Sequence, residues 1–466
     1  MKKKDQDILN VRNSVGWVYD DLNWVNEAEA AKASKERAEL LDFLHDNVNH
    51  SYSGTKIHTG PLSPGCRICG DGFWSCMFIN QLCTANCFFC PQDRTVAKED
   101  LPCTGQGMVF RDLGDYADFL VYAGYKGVGF SGGEPFLAFD RLLSYIKKIR
   151  DRCGDTIYLW VYTNGDLAEK ENLSRLRDHG LNEIRFNISA RDYALGGVMK
   201  ALTIIDTVTV EIPAIPEDFE TVKRSLALMQ EAGVSHVNLH QLLVTKYNYK
   251  EYAARKYTFL HQDSISVLES EMTALRLMKY AVENHLTLPI NYCNSYYKSE
   301  FQVKGNRERI AILARADGEE LTETGHIRKL AIMKNDGMDA ELVISGRALQ
   351  DLNASGLTLA INYYEPRLKS IPVASPENSR EAPQFKNKII VEKNLLHRLE
   401  LEGSTGIEAF RQMILEKKNA AEVKRRLLEN CRVGTREELS RVMEMIERVI
   451  SLKIYEHGGS GFPEIY

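Results

Sequence analysis

Between Phe73 and Tyr292, short apolar runs alternate with longer segments in which apolar residues recur every three or four positions. The short runs predict β-strands, and the longer segments predict amphipathic helices. Strands are expected at residues 73–79, 128–131, 157–162, 183–189, 208–212, 236–243 and 286–292. Helices between them are expected at residues 113–124, 139–151, 167–178, 194–202, 217–232 and 264–284. Repeated strand–helix units are typical of a parallel sheet covered by helices.

The number of predicted strands limits the kind of barrel that the chain can form. Six or seven strands are too few to close the eight-stranded (β/α) barrel. The pattern therefore predicts an α/β fold, an incomplete (β/α)6 TIM-type barrel. Polar residues follow several of the strands, and the carboxyl ends of strands are where such folds build their active sites.

The pattern also divides the chain into three regions. Residues 1–60 are expected to form a helical N-terminal segment, with an amphipathic helix over 26–46. Residues 61–300 form the barrel core with its cysteine-rich entry loop. After residue 300 the strand–helix rhythm breaks, so 301–466 are expected to form a C-terminal α/β extension with a proline-rich linker near 366–384.

Composition and charge narrow the class of protein. The 466 residues carry a net charge of −5, which gives no electrostatic sign of a nucleic-acid or anionic-membrane partner. The first residues carry lysines but no apolar stretch behind them, and no apolar run reaches the ~18 residues of a membrane span. We therefore expect a cytoplasmic protein without a membrane or nucleic-acid partner.

Cysteines are concentrated in one part of the chain. Seven of the ten lie between residues 66 and 103, and such crowding in a long chain favours metal binding over disulfides. Cys83, Cys87 and Cys90 follow the first barrel strand with spacings of three and two residues. Thiolates are the usual ligands of iron–sulfur clusters. A [4Fe–4S] cube held by three cysteines leaves one iron open, as in a catalytic rather than a structural metal site.

Four further cysteines suggest a second metal site. Cys66 and Cys69 form a C-x2-C pair, Cys76 lies on the following strand, and Cys103 follows the main group. Thiolates at this spacing suit zinc, iron or a second cluster. The alternative is that they are free buried thiols around the first cluster.

The C-x3-C-x2-C loop after a strand, the aromatic Phe89 before its last cysteine, and Gly132-Gly133-Glu134-Pro135 after the next strand together resemble the radical S-adenosylmethionine (SAM) superfamily. The resemblance covers residues 74–292. It implies that SAM binds the open iron and that one electron from the reduced cluster splits it. The resulting 5′-deoxyadenosyl radical abstracts a hydrogen atom from a substrate. The resemblance also implies a flavodoxin- or ferredoxin-type electron donor.

The same resemblance assigns further residues to the cofactor. The glycine turn and Glu134 are expected against the methionine amino group. Polar residues after the third, fourth and sixth strands are expected to contact SAM or substrate; they are Thr163, Asn164, Gly165, Arg185, Asn187, Ser189 and His240. Because Arg185, Asn187 and Ser189 alternate along a predicted strand, we expect them to share one face. Weaker candidates are Glu211, Asn238, Gln241, Asn291, Cys293 and Asn294.

Two hypotheses in which the protein is not an enzyme remain open at this point. One is a cysteine-rich zinc- or iron-binding interaction protein, and the other is an iron–sulfur electron carrier. Within the radical SAM reading, the core is similar to pyruvate formate-lyase-activating members, but the substrate, small molecule or polypeptide, is unassigned.

Overall fold

The structure is a computed structural model, and it describes residues 20, 22–92, 103–261, 264–334, 342–350, 357–373, 386–423, 425 and 436–457. The chain forms two compact units. The first is built on the residues up to Val303, and the second on Lys304–Ile371 and Lys388–Gly459.

The predicted run of parallel strands is confirmed in the first unit. Seven parallel strands lie side by side in chain order: β3 (Trp74–Asn80), β6 (Gly127–Gly132), β7 (Tyr158–Thr163), β8 (Glu183–Phe186), β9 (Thr207–Pro213), β10 (His236–His240) and β13 (Ile290–Cys293). Short antiparallel strands extend both edges: β1 (Asn49–Ser51) and β2 (Lys56–His58) beyond β13, and β4 (Thr104–Gly105) and β5 (Met108–Val109) beyond β3. Within the described residues no pairing joins these two edges, so the sheet is an incomplete barrel.

Helices follow the strands as the apolar pattern predicts. The first unit contains α1 (Glu27–Asn47), α2 (Pro64–Gly70), α3 (Leu113–Tyr122), α4 (Phe139–Cys153), α5 (Lys170–Asp178), α6 (Gly196–Ala201), α7 (Phe219–Ala232), α8 (Tyr249–Ala254), α9 (Leu268–Glu283) and α10 (Ser295–Tyr297). A short hairpin, β11 (Phe259–Leu260) and β12 (Ser266–Val267), precedes α9. The N-terminal helix begins at the Asn26 cap, whose side chain and Glu29 form a capping box.

Helix α2 packs across the amino ends of the barrel strands. A Cβ on Gly65 would lie 2.4 Å from a guanidinium nitrogen of Arg185 and 2.8 Å from a carboxylate oxygen of Glu183. A Cβ on Gly127, the first residue of β6, would lie 2.8 Å from Ile68. The two glycines therefore allow the helix to approach closely and cover this end of the barrel.

The second unit is an antiparallel sheet with helices on it. The sheet has the order β14 (Glu319–Leu321), β15 (Ile327–Lys334), β17 (Leu357–Val373) and β18 (Lys386–Glu402), and β16 (Leu342–Ile344) pairs with β15. Its helices are α11 (Lys304–Ala314), α12 (Gly346–Gln350), α13 (Gly403–Phe410), α14 (Arg436–Ser451) and α15 (Lys453–Glu456). Apolar side chains of the sheet and helices form its core, including Leu359, Ile361, Phe410, Ile446 and Val449.

The linker that we expected near 366–384 differs in its first part. Strand β17 continues to Val373 through Pro366 and Pro372. Its pairing with β15 ends at Tyr364, so neither proline interrupts that ladder. Residues 374–385 lie outside the described part of the chain. No helix in the described part is both long enough and apolar enough to cross a membrane.

Candidate active site at the carboxyl ends of the barrel strands

The three cysteines of the C-x3-C-x2-C motif lie on one loop directly after β3. Cys83 is exposed, Cys87 and Cys90 are half-buried, and all three are free thiols. The loop turns back on itself, since the Cys90 amide donates to the Cys87 carbonyl at 3.2 Å and the Ala85 amide to Cys83 Sγ at 3.4 Å. The residue before α8 anchors the loop, since Asn248 Nδ2 donates to the Phe89 carbonyl at 3.2 Å.

This donor set suits a cluster better than a single ion. Among the described residues, no three His, Cys, Asp or Glu side chains are placed to hold one metal ion. Each thiolate of a cubane binds a different iron, so its three sulfur atoms need not converge on one point. Three free thiols on a loop with an exposed member therefore fit a cubane with an open iron.

The glycine turn after β6 holds the cysteine loop in place. A Cβ on Gly133 would lie 1.9 Å from the Leu82 carbonyl oxygen, and Gly132 has a φ of +122°. The Gly133 amide donates to Asn80 at 2.9 Å, and the Glu134 amide donates to Leu82 at 2.6 Å. Only glycine permits this approach of two backbone segments. The turn thus connects the second strand's end to the loop that carries the thiols.

Glu134 is a buried acid at the centre of this edge. Its carboxylate accepts hydrogen bonds from Thr163 Oγ1 at 2.9 Å, the Asn164 amide at 2.8 Å and the Phe136 amide at 3.2 Å. Burial raises its pKa, although these donors oppose the shift. Pro135 is also buried and begins a short 3-10 turn. The predicted Glu134, Thr163 and Asn164 are therefore brought together.

Three residues that we did not predict lie beside the cysteine loop. Asn164 Nδ2 donates to Thr84 Oγ1 at 2.8 Å and lies 3.7 Å from Cys83 Sγ. Arg191 donates to Thr84 Oγ1 at 3.1 Å and forms an ion pair with Asp166. Burial alone would raise the pKa of Asp166, but its bond to Arg191 lowers it. In the sequence, the only indication of this group is the position of Arg191, two residues after the candidate Ser189.

The prediction that Arg185, Asn187 and Ser189 share one strand face is wrong. Strand β8 ends at Phe186, and a 3-10 turn begins at Ile188. Ser189 Oγ donates to Asn187 Oδ1 at 2.6 Å, whereas Arg185 points into the barrel. The alternation stops because the chain bends at the strand end.

Inside the barrel, Arg185 is the centre of a buried polar network. It lies between Glu183 at 2.9 Å and Glu211 at 3.0 Å. Glu211 also accepts from Asn238 Nδ2 at 2.9 Å and lies 2.9 Å from His240 Nε2. Burial alone would raise the pKa of Glu211, but His240 and Arg185 lower it, so the carboxylate stays anionic. Burial lowers the pKa of His240.

The cysteines of the predicted second site are only partly brought together. Cys66 and Cys69, on α2, line a cavity of about 190 Å³ inside the barrel, together with Cys293 of β13. Cys76 is half-buried on β3, and burial raises its pKa to about 12. Cys103 instead donates to the Ile79 carbonyl at 3.3 Å. The cysteines that share the cavity are therefore Cys66, Cys69 and Cys293, and the predicted Cys76 and Cys103 do not line it.

Two weaker candidates have structural roles. Gln241 Oε1 accepts from the Ser295 amide at 2.9 Å, and Asn294 caps α10 through the Tyr297 amide at 2.7 Å. Asn291 donates to Asn238, which joins it to the Arg185 network. These contacts fix the start of the segment after β13.

Comparison with known proteins agrees with this arrangement. Residues 77–254 match the family model described as Radical SAM superfamily. A candidate glycyl-radical enzyme activating enzyme from Methanocaldococcus jannaschii is 28% identical over 288 residues, which are 59% of this chain and 75% of that protein.

Similarity to solved structures is weaker. Streptococcus suis SuiB bound to the precursor peptide SuiA matches with a TM-score of 0.35 and 11% identity, over 48% of this chain and 49% of SuiB. Escherichia coli coproporphyrinogen III oxidase, a radical SAM enzyme, matches with a TM-score of 0.31 and 11% identity, over 79% of this chain and 82% of the oxidase. The chain thus spans about half the length of SuiB.

Proposed function

The chain belongs to the radical SAM superfamily and is an enzyme, and from that premise we propose that it cleaves SAM reductively and abstracts a hydrogen atom from a substrate. A [4Fe–4S] cluster on Cys83, Cys87 and Cys90 would supply the electron that breaks the carbon–sulfur bond. The observation that carries the proposal is the three-thiol loop fixed against the glycine turn. The protein's own part is to place and orient the cofactor.

The residues at the strand ends have defined tasks in this proposal. Glu134 is oriented by three donors and presents negative charge to the methionine ammonium group. Asn187 and Ser189, which lie beyond the end of β8, offer an amide and a hydroxyl to the ribose. Arg191 keeps a positive charge beside Thr84 and the cysteine loop. Phe89, on the cysteine loop, packs against the apolar cluster that includes Tyr252 of α8.

The electron has to come from outside the chain. We assign this task to a flavodoxin- or ferredoxin-type donor, as in the superfamily. The nine cysteines of the described part are free thiols, which supports a reducing, cytoplasmic setting.

Anaerobic reconstitution tests the proposal. The protein is loaded with iron and sulfide, reduced with dithionite and incubated with SAM, and 5′-deoxyadenosine is measured. We expect release that disappears in Cys87→Ala and persists in Cys153→Ala. Zinc alone at full occupancy would instead identify a metal-binding interaction protein, and a cluster without SAM cleavage would identify an electron carrier.

A glycine substitution tests the placement of the loop without touching a ligand. Gly133→Ala puts a Cβ 1.9 Å from the Leu82 carbonyl oxygen, so the cysteine loop has to move. We expect this variant to lose most of its iron and SAM cleavage. Gly196→Ala is the matched control, because nothing lies within 4 Å of the added carbon. Equal iron content in the two variants would contradict the role given to the turn.

A further inference from the structure

The cavity inside the barrel is small, and several polar side chains are among the residues that line it. Its volume is about 190 Å³, below the ~300–1,000 Å³ of sites that hold drug-sized ligands. A cavity of ~150 Å³ holds a benzene-sized molecule. The space therefore suits a small molecule and is too small for a polypeptide segment.

The acid that lines this cavity is already satisfied by protein groups. Among the described lining residues the only carboxylate is that of Glu211. Its Oε2 accepts from Arg185 and Asn238 at 3.0 and 2.9 Å. Its Oε1 lies 2.9 Å from His240 Nε2, which has no aligned hydrogen bond among the described residues. Arg185 is likewise occupied by Glu183 and Glu211. This part of the lining has no charge left for a ligand.

Lys56 is the cation that lacks a carboxylate. The residue is only 1% exposed, and its Nζ lies 2.8 Å from Cys293 Sγ and 4.1 Å from the centre of the Tyr297 ring. None of the ion pairs in the described part of the chain includes it. A buried ammonium without a carboxylate is costly, and an anionic ligand would remove that cost.

Two neutral donors face the same space without an acceptor. Trp74 Nε1 and the Tyr297 hydroxyl are buried and have no hydrogen-bond partner among the residues that the structure describes, and both residues line the cavity. An unpaired buried donor costs about 1–3 kcal/mol. Lys56, Trp74 and Tyr297 together therefore suit a ligand that accepts hydrogen bonds and carries negative charge.

We propose that this cavity binds a small carboxylic acid, with Lys56, Trp74 and Tyr297 as the groups that hold its carboxylate. The identification of this acid as the substrate rests on the proposed function. The substrate is then a small molecule and not a glycyl loop of a partner protein.

The cavity thiols provide the test. Cluster-loaded wild-type protein is treated anaerobically with iodoacetate or with its neutral counterpart iodoacetamide, and each cysteine is followed by peptide mass spectrometry. Half-buried Cys153 on α4 serves as the internal reference. We expect saturable carboxymethylation at Cys293, Cys66 or Cys69. Their iodoacetate-to-iodoacetamide rate ratio should be about tenfold above that at Cys153, as one charged hydrogen bond would give.

Variants assign this preference to the donors. Tyr297→Phe and Trp74→Phe keep the rings and should lower the ratio about threefold or more, and Lys56→Met should reduce it to the value at Cys153. Tyr122→Phe, at an exposed tyrosine, is the matched control and should leave the ratio unchanged. A wild-type ratio equal to that of Cys153, or no labelling by either reagent, would overturn the proposal.

The outcome is separable from that of the proposed function. Alkylation requires no SAM cleavage, so a carboxylate preference without 5′-deoxyadenosine keeps the acid site and rejects the radical chemistry. Release of 5′-deoxyadenosine without a preference for iodoacetate supports the radical chemistry and rejects the acid site.

Discussion

Two arginines, the buried Arg185 in the first unit and the half-buried Arg328 in the second, are each paired with two glutamates and have different surroundings. Arg185 lies between Glu183 and Glu211 in the barrel, and Arg328 lies between Glu320 and Glu456, at 2.6 Å from each, in the second unit. Around Arg185 are a cavity, three thiols and His240. Around Arg328 are Tyr363, which donates to Glu456 at 2.6 Å, and the helix α15 that carries this glutamate.

The difference shows that a buried ion pair alone does not indicate function. The second-unit pair fixes the tail helix to a strand, although Arg328 Nε is buried without a hydrogen-bond partner among the described residues. The barrel pair holds Glu211 anionic beside unpaired donors that line a cavity. The functional sign is therefore the cavity that those donors line, and not an unpaired buried atom alone.

Replacement of the barrel arginine should have the largest effect on stability. Arg185→Met leaves two buried carboxylates without a cation, and breaking such a pair costs about 3–5 kcal/mol. All four tryptophans precede residue 161, so urea unfolding followed by tryptophan fluorescence reports the barrel. Arg175→Met, which removes a surface pair with Asp140, should cost less than about 1 kcal/mol. If Arg185→Met were as stable as Arg175→Met, the Arg185 pair would not stabilise the barrel, and its comparison with the Arg328 pair would fail.

The matching change in the second unit should cost less. Arg328→Met leaves Glu320 without its cation. The Glu320 side chain is 30% exposed, against 14% for Glu211, so water solvates it in part. We therefore expect the free energy of unfolding to fall by about 3 kcal/mol. Hydrogen exchange of peptides from β15 and β17 measures it, with the surface change Arg398→Met as control. SAM cleavage per folded molecule should not change. A loss of cleavage at full protection would mean that the second unit takes part in catalysis.

Acid should weaken the second unit through His326. Burial lowers the pKa of this histidine to about 4, so the folded state holds it neutral while the unfolded chain gains a proton below about 6.5. The contribution of His326 to the free energy of unfolding is therefore fully present above about pH 6.5 and is lost as the pH falls toward 4. Linkage gives a loss of about 2 kcal/mol between pH 7 and 5. Hydrogen-exchange protection of β15 should follow this curve, and His326→Asn should flatten it; an unchanged slope in the variant would reject the assignment.

Glu134 extends the comparison to a buried acid without an arginine. Its raised pKa means that burial disfavours the ionised form in the folded state, so at pH 7 the charge reduces stability. Glu134→Gln removes the cost of burying the charge, but it also replaces one of the two oxygens that accept hydrogen bonds from Thr163, Asn164 and Phe136. We therefore expect the smallest effect, within about 1 kcal/mol, while the affinity for SAM falls. Equilibrium dialysis with SAM measures the affinity, with exposed Glu231→Gln as control; unchanged affinity would remove Glu134 from the SAM site.

The repetitive part of the fold could be read from the sequence. Apolar periodicity located all seven parallel strands, since each buries both faces or alternates regularly. The end of β8 could not be located, because Asn187-Ile188-Ser189 continues the alternation although the backbone has already turned. Local pattern does not show where a strand loses its neighbour.

The site was predictable where chemistry and spacing coincide. The thiol loop and the glycine turn could be named, but their mutual contact could not. The partners of Arg185 lie 2 and 26 residues away, and Lys56 meets Cys293 across 237 residues. Such pairs depend on strand order and on α2 at the barrel's end. For this reason the sequence groups Cys76 and Cys103 with Cys66 and Cys69, and indicates Cys293 only as a weaker candidate.

The contact between Gly133 and the Leu82 carbonyl also determines how the sequence can drift over evolution. At this contact the loop contributes the Leu82 carbonyl group, which every residue type carries. The turn contributes the absence of a side chain, so position 133 has no alternative residue. In a set of diverging relatives, selection on the loop's position would therefore act on a glycine about fifty residues downstream, in the turn after the next strand of the barrel.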